Sequence, residues 1–194
     1  MSDIVPNGNS KGIKINYYNN DMHYADSKEV SDKIEAFLRN KLKKYWQIKS
    51  TVQIKEKKLQ FSGVDRLLMI PERQPIRVEE KVRRKTRGDI LIELIADNNF
   101  YLKEHRGLGW GLKNYSTDIL LYFFEDTETG HIFHWNKFQK ALLANLPEWY
   151  DLAKSKRRGF SLRKAYNKNY YSLNIAIPRS VFLKAYIKEG GIVI

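Results

Sequence analysis

The clearest periodic signal in the chain begins near residue 27. Val30, Ile34, Phe37, Leu38, Leu42 and Tyr45 recur every three to four positions, the spacing that gathers apolar side chains on one face of an α-helix. Asp26 or Ser27 can cap its start, and Glu29 falls in the first turn, where the helix dipole favours an acid. TVQI (51–54) then alternates briefly, FSGVDRLLMI (61–70) reads as an apolar strand, and PERQ (71–74) as the loop after it. Over residues 76–83 the alternation is clean. Ile76, Val78 and Val82 face one way, and Arg77, Glu79, Lys81 and Arg83 the other. Two strands around a short loop predict a hairpin.

Further on, DILIELIA (89–96) and STDILLYFFED (116–126) read as strands, separated by the three-glycine loop HRGLGWGLKN (105–114). Asn136 is positioned to cap a helix that Pro147 should end, YSLNIAIP (171–178) is an alternating strand, and SVFLKAYIKE (180–189) is a short helix opened by Pro178 and closed by Gly190 and Gly191. The order helix, strands, helix, strand, helix gives a mixed α/β fold, with one central mixed β-sheet flanked by helices. Residues 1–25, rich in Asn, Gly and Pro, read as a loosely ordered lead-in, and 26–194 as a single domain.

Composition narrows the function. With 194 residues, 42% hydrophobic content and no Cys, the chain reads as a globular protein without disulfides, thiolate metal sites or a Cys nucleophile. No apolar run of ~18 residues and no hydrophobic leader is present, so a cytoplasmic protein that does not insert into a membrane is expected. The net charge is +13, and it is unevenly placed. From residue 151 onward there are ten basic and two acidic residues, whereas 101–150 carry five and six. Lys154, Lys156, Arg157, Arg158, Arg163, Lys164 and Lys168 are interleaved with Phe160, Tyr166, Tyr170 and Tyr171, and a second cluster is Lys81, Arg83, Arg84, Lys85 and Arg87. Clustered cations release counterions from phosphates, and aromatic faces stack on unpaired bases, so nucleic acid is the expected partner. A solvated basic face kept for solubility is the plainer alternative.

The hairpin carries the candidate chemistry. A loop centred near residue 72 sets Asp65 opposite Glu79, with their Cβ atoms ~5 Å apart. Two carboxylates so placed repel unless a cation bridges them, and Mg²⁺ or Mn²⁺ suits one or two carboxylates plus a phosphate oxygen. Lys81, two residues on and on the same face as Glu79, can hold a water or steady charge on a phosphorane. That is an arrangement for metal-assisted phosphodiester hydrolysis. The alternative is a cross-strand ion-pair triad on a solvated face, worth little energetically.

The sequence GVD, a loop, then VEEK on the next strand, behind a helix bearing an acid, resembles the PD-(D/E)xK (restriction-endonuclease-like) nuclease superfamily, in particular its compact phage and mobile-element members. The likeness spans roughly residues 27–143, and continues through Glu93 in LIELI and Gly109–Trp110. Val64 stands where the family's Pro precedes the Asp. The resemblance implies a restriction-endonuclease-like domain that cuts DNA with Mg²⁺ or Mn²⁺. In it Asp65 and Glu79 ligate the metal, Lys81 is the catalytic lysine, and Glu35 is the acid on the first helix. Glu80 replaces Glu79 if the register is shifted by one. Glu93 is a second metal or water contact, or a surface acid at a strand end. Trp110 reads better as core packing than as a base-stacking residue, and His131 and His134 as structural rather than a zinc pair. Lys103, Arg106 and Lys113 flank the glycine loop as phosphate contacts or ordinary surface charges. The basic residues expected on nucleic acid are Arg83, Arg84, Lys85, Arg87, Lys156, Arg157, Arg158, Arg163 and Lys164.

No Walker loop, GxGxxG or GxSxG motif occurs, which sets aside an NTPase, a dehydrogenase and a serine hydrolase. A homodimer is one route to concerted double-strand cuts, though nothing in the sequence demands it. Two rivals remain: a nuclease-fold module that binds nucleic acid with an idle metal site, and a basic adaptor for a protein partner.

Overall fold

The computed structural model of the chain describes residues 27–99, 107–166 and 169–194. The lead-in expected at 1–25, and Asp26, Lys103, Arg106 and Lys168, lie outside the described residues. The fold is mixed α/β. Its elements are α1 (Lys28–Leu42), β1 (Ser50–Gln53), α2 (Lys57–Phe61), β2 (Arg66–Met69), β3 (Ile76–Arg83), β4 (Asp89–Ile95), β5 (Ile119–Phe124), β6 (Thr129–His134), α3 (Trp135–Lys154), β7 (Ser161–Tyr166), β8 (Tyr171–Pro178) and α4 (Arg179–Lys188). Among the described residues the strands form a five-stranded sheet, order β1-β2-β3-β5-β6, and a three-stranded sheet, order β4-β8-β7. The five-stranded sheet is mixed, because β3 and β5 run parallel. The single central sheet expected from the sequence is thus corrected to two. Strand β4 leaves β3 after the turn at Gly88 and pairs with β8 instead.

Helix α1 begins at Ser27, whose hydroxyl accepts the Val30 N–H at 3.3 Å. Its apolar stripe, Val30, Ile34, Phe37, Leu38 and Leu42, is buried against Leu68, Val78, Ile119, Leu121, Phe123 and Ile132 on one face of the five-stranded sheet. The other face, with Leu120, Tyr122, Phe124 and Phe133, shares a second core with Ile90, Ile92, Ile175 and Ile177 of the smaller sheet and with α3 and α4.

Three local expectations are corrected. Residues 61–65 are not strand: they end α2 and form a turn at Gly63, whose φ of 81° suits glycine, and β2 starts only at Arg66. Helix α3 starts after His134 rather than Asn136 and runs through Pro147. Burial of Trp149 and Ala153 beyond the proline, in the same core as Phe138 and Leu142, outweighs the missing backbone bond, a cost of ~3 kcal/mol. The hydrophobic pattern does not anticipate strands β6 and β7: β6 reads TGHIFH and β7 SLRKAY, both short of alternating apolar residues.

Candidate active site

The hairpin register is the one the loop centre requires. Arg66 faces Val78, Leu67 faces Arg77, and Leu68 faces Ile76. One residue before β2, the Asp65 N–H also donates to the Val78 carbonyl, at 2.8 Å, one residue off the ladder that sets Arg66 opposite Val78. The regular pairing ends in this bulge, and from it the Asp65 carboxylate acts on both Glu79 and Lys81. Asp65 Oδ2 accepts the Glu80 N–H, also at 2.8 Å. This carboxylate is therefore fixed by the backbone of the neighbouring strand.

Glu79 is 2% exposed, and its Oε1 pairs with the Lys81 ammonium. Its Oε2 is buried with no hydrogen-bond partner. Burial pushes the Glu79 carboxyl up to about 7; Lys81 opposes the rise and Asp65 adds to it. Two carboxylates facing one another are both acceptors, and only a proton or a cation between them makes the contact favourable. Burial acts to lower the Lys81 pKa, but the charges of Glu79 and Asp65 prevail and hold it above the usual lysine range. Lys81 therefore remains a cation at neutral pH.

Three further groups close this face of β3. Glu93, from β4 of the smaller sheet, accepts the Trp110 N–H at 3.4 Å, and its carboxyl is raised by burial against the pull of Lys81. It belongs with the site rather than with the surface. The Trp110 ring lies 5.6 Å from Lys81 Nζ and stacks on Phe138 at 5.8 Å, so its place in the core and its place beside the site coincide. Tyr115, whose hydroxyl is raised by burial and shares its field with Lys81 and Glu79, carries no sequence signal. Its only trace is Gly63, where a Cβ would sit 2.3 Å from the Tyr115 ring.

Glu35 is placed elsewhere. It accepts from the Thr51 hydroxyl at 2.7 Å and pairs with Arg39 at 2.8 Å, bonds that hold its carboxyl below the usual range, Thr51 first. Thr51 also accepts from Arg66 Nη1 at 3.2 Å, and Arg66 pairs with Glu80 at 2.5 Å and with the Ser31 hydroxyl at 2.8 Å. Arg66, Val78 and Glu80 share the α1 side of the sheet, so this buried polar network is separated by the sheet from Asp65, Glu79 and Lys81. Glu80 is accordingly Arg66's counter-ion, and the register shift that would make it the metal ligand does not occur. The Glu80 carboxyl is raised by burial against that arginine.

Of the basic residues, Arg84, Lys85 and Arg87 are exposed after β3, and Lys156, Arg157 and Arg158 are exposed in the turn after α3. Arg83 and Arg163 instead converge on the two oxygens of Asp89, at 2.5 and 2.6 Å. Lys164 Nζ lies 4.4 Å from the Tyr171 ring centre. His131 packs between Phe124 and Phe133, at 6.4 and 5.8 Å, while His134 precedes α3 and is exposed.

The donor set fits a hard divalent ion. Asp65 and Glu79 supply oxygens from adjoining segments, one of them an orphaned buried oxygen, and no larger cluster of His, Cys, Asp or Glu gathers at one point among the described residues. Two carboxylates leave coordination positions to water and phosphate, as Mg²⁺ prefers. Among the described residues no helix is long and apolar enough to cross a membrane. No family model matches the chain, and comparison with the curated proteins and with the solved structures finds no match either.

Proposed function

We propose that this chain is a metal-dependent DNA endonuclease of the PD-(D/E)xK type, hydrolysing phosphodiester bonds with Mg²⁺ or Mn²⁺. The observation that carries the reading is the buried, partnerless Oε2 of Glu79, set beside Asp65 with Lys81 on its other oxygen. Asp65 and Glu79 hold the ion, which supplies Lewis acidity at the scissile phosphate. Held as a cation, Lys81 cannot serve as a general base. It orients the attacking water through its N–H donors and offsets negative charge as the phosphorane forms. The exposed arginines and lysines at 84–87 and 156–158 contact the backbone of the nucleic acid.

The Lys81–Glu79 ion pair favours one other reading, in which the site is closed upon itself and the chain binds nucleic acid without cutting it. A plasmid-nicking assay separates the two. The wild type nicks in Mg²⁺ and not in EDTA, and Glu79→Gln and Lys81→Ala each slow nicking by about 100-fold or more. Retained DNA binding without cleavage of supercoiled, linear or single-stranded DNA in either metal leaves the idle-site reading standing.

A further inference from the structure

Phe61 is 75% exposed, the most open large apolar side chain among the described residues. It is not on a loose loop. Around it the Gly63 N–H donates to Gln60 and the Val64 N–H to Leu59, at 3.0 and 3.1 Å, and the Ser116 N–H donates to Ser62 at 3.0 Å. The Gln60 amide donates to the Ile54 carbonyl at 2.8 Å, and Gly63 packs so close to Tyr115 that a Cβ would sit 2.3 Å from its ring. The fold thus pins the backbone of this turn to the site while leaving the aromatic ring in water, an arrangement that costs apolar exposure and adds nothing to the core. Asp65 follows four residues later, so the two Cα atoms are at most ~14 Å apart, or about four base steps at 3.4 Å each. Lys55, Lys57 and Lys58, all exposed, precede the ring within six residues, with Glu56 the single acid among them.

We propose that Phe61 is a stacking platform for an unpaired or extruded nucleobase next to the scissile phosphate, so that the substrate is DNA with a single-stranded or distorted segment rather than uninterrupted duplex. This rests on the nuclease reading and goes beyond it. A rigidly presented ring stacks on any base whose face is open, and the three lysines neutralise the flanking phosphates. In intact duplex every base face is already stacked, and extrusion costs a few kcal/mol, so the ring has no contact to offer there.

The test compares wild type, Phe61→Ala and Phe61→Trp in fluorescence-anisotropy titrations with three DNAs in EDTA: an uninterrupted duplex, the same duplex with a short single-stranded gap, and the gapped form with abasic residues in the gap. Phe61→Ala should weaken binding to gapped DNA by about 5- to 100-fold and leave duplex binding unchanged. The abasic gap should weaken the wild type to the level of Phe61→Ala, and Phe61→Trp should recover wild-type affinity for the gapped form. Equal affinity of wild type and Phe61→Ala for gapped DNA overturns the proposal, as does an equal weakening on all three DNAs. A dimer that Phe61→Ala converts to monomer in sedimentation also overturns it, by assigning the ring to self-association. Failure of the wild type to bind any DNA overturns the nuclease reading itself, and this inference with it.

Discussion

Glu79 and Glu80 are consecutive residues of β3 with opposite surroundings. The first lies beside Asp65 and Lys81 with a free oxygen, and the second is paired with Arg66 at 2.5 Å on the face covered by α1. Neighbours in a strand point to opposite sides, so one dipeptide serves two separate polar systems. Arg66→Met should cost about 3–5 kcal/mol, since it leaves Glu80 as a buried unpaired charge. Glu79→Gln should cost less, because the Lys81 ammonium it leaves behind keeps Asp65 as a counter-charge. Urea denaturation of the two variants checks the contrast; equal losses would mean that the two acids are not separated in this way.

The basic turn after α3 gives a salt-dependence prediction. Lys156 and Arg158 have φ near 52°, a region that Asn tolerates better than Ala, so Lys156→Asn, Arg157→Gln and Arg158→Asn can be combined without straining the turn. If these side chains meet phosphates, the slope of log K against log salt should become shallower by about 0.9 for each duplex phosphate that is no longer neutralised. An unchanged slope in binding isotherms taken at several salt concentrations removes this turn from the interface.

Glycine at position 109 is a close-approach requirement. A Cβ there would sit 2.2 Å from the Glu93 carbonyl oxygen, whereas one at Gly88 would meet nothing within 4 Å. Gly109→Ala should therefore destabilise by about 1–3 kcal/mol and displace Trp110 from Glu93. Gly88→Ala should stabilise by about 0.4–1 kcal/mol through the unfolded chain. Thermal melts of both variants measure the difference in sign.

His131 sets a pH dependence. Burial, followed by the charges of Arg179 and Lys41, lowers it to about 4, against about 6.5 when unfolded. The unfolded chain therefore binds a proton between those values while the folded one does not. The stabilisation from a neutral His131 is complete above pH 6.5, is lost as pH falls toward 4, and changes no further below that. Allowing for solvent screening of a partly open ring, the loss is about 2 kcal/mol. His131→Gln should remove this segment of the stability–pH curve, as read from chemical denaturation at half-unit pH steps.

The β2–β3 register is legible in the sequence because period-two alternation and a short loop leave one pairing open, whereas Asp65 approaches Glu79 from a bulge just beyond that ladder, its N–H bonded to Val78. Helices α1 and α4 are legible through spacing and end signals. Strand β6 is not, since Thr129, Gly130 and His131 give no alternation and the strand is specified by its pairing with the fully buried β5. Pro147 misleads because a local breaker says nothing of the tertiary burial of Trp149. Glu35 misleads for a similar reason: a helical wheel locates a residue on its own helix and is silent on which sheet face that helix covers. Tyr115 and the involvement of Glu93 depend on how the second sheet meets β3, a relationship between distant segments that no window of sequence contains.

The parallel pairing of β3 with β5 joins Val78 to Ile119, so about forty residues must be looped out before that ladder can close. All of β4 and the Gly109–Trp110 turn lie inside the loop. Such remote closure slows folding, and the pairing of β4 with β8, from Asp89 to Pro178, reaches further still. A chain in which these pairings are open carries the acids and the lysine without their enclosure, so the capacity for chemistry arrives only once distant segments have closed upon one another.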